Sequence, residues 1–204
     1  MPTRSRVSTR HAAALACCLL LALAGCTTAG FSPDMSGPTE IAPERSITAL
    51  PETLADQRLA VRIEIRDSLM FERVVLANDT ALAGENAVTV RTRWRGTPYR
   101  RWFSGPMRNP YTDTAIGHRV RDEFAGLADV TPPLDRTNRR GPYRYVAASG
   151  EGGRCVLAWQ IVDAEASVTG DVHPFALDFR YCDPAREPAA LLALFDQIEL
   201  APHL

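Results

Sequence analysis

Apolar and polar residues alternate along several stretches of this chain with the period of two that a half-buried strand requires. Leu59-Ala60-Val61-Arg62-Ile63-Glu64-Ile65-Arg66 shows it most cleanly, and Phe71 to Ala77 reads as a second strand. Asn78-Asp79-Thr80 and Gly84-Glu85-Asn86 interrupt the pattern with turn residues. It resumes from Ala87 to Arg95, where Val88, Val90, Thr92 and Trp94 share one face while Arg91, Arg93 and Arg95 line the other. Tyr99 to Phe103 reads as one more short strand, cut off by Gly105-Pro106.

The most organised stretch comes later. Asn138 to Ala147 and Arg154 to Asp163 are rich in aromatic and β-branched residues, and Ser149-Gly150-Glu151-Gly152-Gly153 separates them. Two such arms around glycines predict a β-hairpin. Ala176 to Cys182 predicts a further strand. The period changes to that of a helix after Thr112, a candidate N-cap, with Ala115, Ile116, Arg119, Val120, Phe124 and Leu127 on one side. A second helix is predicted from Glu187 to Ile198, carrying Leu191, Leu192, Leu194, Phe195 and Ile198. Strands that run antiparallel and helices that stand apart from them give an α+β fold, an antiparallel sheet with two amphipathic helices on one face.

The first residues are organised differently. Arg4, Arg6 and Arg10 precede an uncharged apolar run from Ala12 to Ala24, too short for the roughly 20 residues of a membrane span. That is the layout of a secretory signal. Leu23-Ala24-Gly25-Cys26 resembles the lipobox of bacterial lipoproteins, which implies a signal peptide over 1–25 and acylation of Cys26. Several acyl chains anchor stably. With Thr27 next and no acidic residue there, the resemblance implies the outer membrane, facing the periplasm. Pro33, Pro38, Pro43 and Pro51 among polar residues then predict a Pro-rich tether over 26–55, and 56–204 a single α+β domain.

The chain has 23 basic residues, all of them arginine, against 24 acidic ones. Without the three leader arginines the net charge falls to about −4, which gives no electrostatic case for nucleic acid. Of five cysteines only Cys155 and Cys182 remain in the domain, and a pair in an oxidising compartment is most simply a disulfide. A zinc site adding His173 lacks the close cysteine pair such sites use, so no metal and no cofactor is expected.

Catalytic signals are absent. There is no Gly-x-Ser-x-Gly elbow, and the glycines near residue 150 sit in a hairpin instead of between strand and helix, where a phosphate loop belongs. His118 and Asp122 lie side by side on the first helix as a surface pair would, and no spacing selects two carboxylates from Glu64, Asp67, Glu123, Asp163, Glu165 and Asp178. The candidate binding surface is the row Arg91, Arg93 and Arg95 with Trp94 and Trp102, since rings stack on sugars and guanidiniums clasp acids or hydroxyls. The plainer reading makes the rings core and the arginines a solvated strand edge.

Leu76-Ala77-Asn78-Asp79-Thr80 with Gly84-Glu85-Asn86, then Asn138-Arg139 with Gly141-Pro142-Tyr143, then Cys155 with Ala158-Trp159-Gln160, then Phe179-Arg180-Tyr181-Cys182 ahead of Leu191-Leu192, together resemble the BcsN family of bacterial cellulose-biosynthesis accessory proteins. The resemblance runs from about Arg62 to Leu194 and is weakest between Pro106 and Pro133. It implies an envelope protein assisting cellulose synthesis or export, with no catalytic residues. The expected partners are the membrane, through the lipid, and the cellulose synthase or export proteins or the glucan. Two alternatives stand beside it: an envelope structural or stress lipoprotein unrelated to polysaccharide, and a carbohydrate-active enzyme.

Overall fold

The computed structural model describes residues 37–66, 69–93, 109–162 and 174–200. Cys26, Trp94, Arg95 and Trp102 lie outside the described residues, as does the strand expected at Tyr99 to Phe103. In chain order the strands are β1 (Thr39–Ile41), β2 (Thr48–Ala49), β3 (Arg58–Arg66), β4 (Leu69–Leu76), β5 (Asn86–Arg93), β6 (Asp129–Val130), β7 (Leu134–Asn138), β8 (Gly141–Gly150), β9 (Gly153–Val162), β10 (Phe175–Asp183) and β11 (Glu199–Leu200). The helices are α1 (Glu52–Ala55), α2 (Asp113–Glu123) and α3 (Pro188–Gln197).

Nine strands pair antiparallel in one sheet, in the order β1-β3-β4-β5-β10-β9-β8, with β6 and β7 sharing the far edge of β8. The hairpin β8–β9 is present and closes Gly150 against Gly153. Gly153 has φ +134° and its missing Cβ would stand 2.9 Å from the Asp183 carbonyl, so no other residue fits there. Strand β10 lies beside β9 with Cys182 opposite Cys155, and the two form a disulfide with Cα atoms 4.0 Å apart. On the far edge, Val130 pairs Ala148 and Leu134 pairs Tyr145. Thr131-Pro132-Pro133 fills the gap, because proline cannot donate to a ladder, and this splits the edge into two short strands.

Strand β9 is buried at almost every position and β10 at all but its last. Such a run, apolar at both parities, belongs to a strand covered on two sides. The sequence reading placed both helices on one face; the structure corrects this. Ile116 and Phe124, in and just after α2, cluster with Cys155, Leu157 and Trp159 of β9. The α3 residues Leu191, Leu192, Leu194 and Phe195 cluster with Val156 and Ala158, the residues of opposite parity. The helices therefore cover opposite faces of the sheet.

The α3 face is largely apolar, including Val61, Ile65, Val74, Val88, Val90, Leu177 and Phe179, with Glu72, Thr92 and Gln160 as its buried polar residues. Its edge is closed by a segment that was expected to be tether. Strand β1 pairs with β3, β2 pairs with β11, and Ile47 and Leu54 are fully packed into the core. The ordered fold thus begins well before residue 56. Glu72, wholly buried, holds the segment: its carboxylate accepts from Ile47 N at 2.8 Å, Thr48 N at 3.0 Å and Ser46 Oγ at 2.8 Å. Prolines in this segment obscured the signal, since its strands are only two and three residues long.

Candidate functional site

On the α2 side of the sheet the side chains form rows that run across the strands. One row reads Trp159, Asp178, Thr89, Arg73, Arg62, Glu40, and the next Ile161, Ala176, Arg91, Phe71, Glu64. A third brings Arg93 opposite Leu69 and Leu69 opposite Arg66. Helix α2 packs over the β8–β9–β10 end of these rows. The β3–β4–β5 end is a field of half-exposed arginines.

Phe71 lies at the middle of that field. The Cζ of Arg66, from β3, stands 4.4 Å from the centre of its ring, and that of Arg91, from β5, 4.9 Å. Cation–π attraction holds the guanidiniums over the ring while their N–H groups stay available to solvent. The acids present are loosely engaged: Glu85 lies 3.6 Å from Arg62 and 3.3 Å from Arg73, and Glu64 lies 3.6 Å from Arg66. Side chains of Arg62, Arg66 and Arg73 are 41%, 58% and 39% exposed, so these pairs contribute little to stability and exchange readily for other acids.

Under α2 the same face holds an ionic network in which Asp178 and Arg180 are buried and Arg119 and Glu123 partly so. Arg119 grips Asp178 with both terminal nitrogens, one at 2.7 Å, and donates through Nε to Glu123 at 2.5 Å. Burial opposes the Arg119 charge, but Asp178 and then Glu123 outweigh it and hold its pKa above the ordinary value. Arg180, also buried, donates to the carbonyls of Ala83 at 2.5 Å and Glu85 at 3.0 Å. Its Nε stands 3.1 Å from Glu123 Oε2, an ion pair by distance whose angle is too bent for a hydrogen bond. Burial lowers the Arg180 pKa, with Glu123 opposing. Gly84, at φ +95°, leaves the room this guanidinium occupies. Tyr111 packs against Trp159, and burial first, then Asp178, raises its phenol above the usual range while Arg91 and Arg119 pull it back.

The residues that carry the family resemblance are mostly braces. Asn86 accepts from Cys182 N at 2.7 Å and donates to the carbonyls of Ala77 and Cys182. Asn138 and Gln160 bond to each other in both directions. Arg140, which lies between these residues without being one of them, donates to the carbonyls of Phe195, Asp196 and Ile198, the unpaired C-terminal end of α3, and lies over the Phe195 ring. Burial, followed by Arg139, pulls the Arg140 pKa down to about 10.

Of the predicted surface, Arg91 and Arg93 are half-buried on the face expected for them, with Val88, Val90 and Thr92 buried on the other. Trp94, Arg95 and Trp102 are outside the described residues. Sequence reasoning missed Arg62, Arg66, Arg73 and Phe71, which join Arg91 only through strand pairing. The alternation in β3 was the available signal, because it already put Arg62, Glu64 and Arg66 on one side. His118 contacts Arg121 at 2.9 Å, not Asp122. Among the described residues no three His, Cys, Asp or Glu side chains come close enough to hold a metal ion, and no helix is long and apolar enough to cross a membrane.

A family model described as cellulose biosynthesis protein BcsN matches residues 49–204. No curated protein and no solved structure matches the chain.

Proposed function

The chain belongs to the BcsN family of cellulose biosynthesis proteins, and from that premise we propose that it is a non-enzymatic envelope lipoprotein that assists cellulose synthesis or export by contact. In this reading Cys26 carries the lipid, the domain sits at the outer membrane facing the periplasm, and the arginine face is what it presents to the synthesis or export machinery or to the glucan. The observation that carries it is the open field of Arg62, Arg66, Arg91 and Arg93 around Phe71, on a domain whose other face is sealed by α3.

Contact is favoured over catalysis because the two carboxylates under α2 are engaged. Asp178 and Glu123 are held by Arg119 and Arg180, so neither is poised to move a proton. The test is to replace Arg62, Arg66, Arg91 and Arg93 with serine and weigh the cellulose made by cells carrying that chain in place of the native one. A loss comparable to gene deletion is expected. Full output from a stably folded variant removes the arginine face from consideration. Normal cellulose after deletion of the gene would instead favour an envelope structural or stress role.

A further inference from the structure

We propose that the arginine face lies against the phosphate headgroups of an anionic bilayer, so that the sheet rests on the membrane to which Cys26 ties it. The inference rests on the proposed reading of this face as a contact surface and of Cys26 as the anchor, and it assigns the face to lipid in place of the machinery or the glucan.

Three observations select this occupant. First, the ring in the middle of the face is already used: guanidiniums from both neighbouring strands lie over Phe71 at 4.4 and 4.9 Å. A neutral pyranose binds by laying its flat side on a bare aromatic ring, and Phe71 does not offer one. The groups that point outward are N–H donors of arginine, whose natural partners are phosphate and carboxylate oxygens. Second, the charge runs against the rest of the chain. Arg62, Arg66, Arg73, Arg91 and Arg93 face Glu40, Glu64 and Glu85 on this half of the sheet, while the chain after Cys26 is net negative. Third, the described chain enters at β1, the edge strand next to β3, so it joins the sheet beside the arginines. About ten residues separate Cys26 from Gly37, which reach roughly 35 Å when extended, and a flat face beside such an attachment is held within contact range of the lipid surface. Two-dimensional spacing of the cations also suits a layer of phosphates, with strands about 4.8 Å apart and alternate residues about 6.8 Å apart.

The test uses the full lipidated chain in vesicles. Arginine-directed chemical modification is read residue by residue by mass spectrometry, in phosphatidylcholine vesicles and in vesicles containing phosphatidylglycerol. Protection of Arg62, Arg66, Arg91 and Arg93 by about tenfold, only with the anionic lipid and lost in about 1 M salt, is expected, because screening shortens the reach of the surface potential. Arg136 and Arg139, whose acidic partners Asp196 and Glu199 belong to α3 and β11, should be modified equally in both. Equal modification of the face in both vesicles overturns the docking and leaves the proposed contact role standing. Protection by soluble cello-oligosaccharides or by an acidic envelope protein, without protection by anionic lipid, overturns it in favour of that partner. A chain that floats with neither vesicle overturns the anchor as well.

Discussion

The two faces of this sheet are built from the same alternating strands and solve opposite problems. Toward α3 the strands β3, β4, β5, β10, β9 and β8 all contribute apolar side chains, and the helix, β1, β2 and α1 close the layer. Toward α2 the layer is apolar only near the disulfide; farther along it becomes an ionic network and then an open arginine field. The comparison separates two kinds of burial. The first face gains mainly from removing apolar area from water, with Glu72 as its one buried acid among the described residues, while the second holds several charges whose burial is tolerable only because each meets its partner.

Two truncations break that comparison most sharply. Phe195→Ala opens a cavity in the apolar layer and should cost about 3–5 kcal/mol, read from the urea midpoint. Asp178→Ala should cost about 3 kcal/mol for a different reason, since it leaves Arg119 under α2 with Glu123 as its one remaining acidic partner. The double change Asp178→Leu with Arg119→Met tells them apart. It should recover much of the loss, because removing both charges leaves nothing unpaired; a double variant as unstable as the single one would mean that packing, not charge, is at stake.

Next in size is the staple. Changing Cys155 and Cys182 to alanine opens a bond between neighbours 27 residues apart in sequence and should lower stability by roughly 3 kcal/mol. Both sulfurs lie in the α2-side cluster, so native-state hydrogen exchange should rise more in α2 than in α3.

The smallest effect is on pH. Tyr111, Tyr143 and Tyr181 are all raised above the ordinary value by burial. A raised pKa contributes stability that is complete below the unfolded value of about 10 and is lost as pH climbs through the folded value. Arg140 and Arg180 run the other way, since their lowered values mean that deprotonation relieves them in the same alkaline range. Three groups against two leave a modest net loss. Thermal melts should begin to fall above about pH 10, with tyrosinate absorbance appearing together with unfolding. Absorbance that rises well before the melt would show the phenols to be accessible.

Much of the architecture could be read from the chain because it is local. The hairpin, the long strands, the last helix and the Thr112 cap all depend on residues close together, and Thr112 Oγ1 does accept from Ala115 N at 3.2 Å. The Cys155–Cys182 bond was legible by elimination. What escaped is non-local. Arg66 and Arg91 meet over Phe71 only because β4 lies between β3 and β5, and alternation alone says nothing of strand order. The placement of the helices escaped for a related reason: Val156-Leu157-Ala158-Trp159 is apolar at both parities, and such a run demands cover on two sides without saying which helix supplies which. Between residues 39 and 55 the elements are too short for any period to show.

The grip of Glu72 on residues 46–48 bears on how the molecule meets mechanical load. Tension applied from the leading end arrives at three β1 pairs and then at one carboxylate, far along the sheet from the sulfur bridge. Pulling on the leading strand should therefore peel it open to that point, like the tab of a seal, before the disulfide-tied hairpin is loaded.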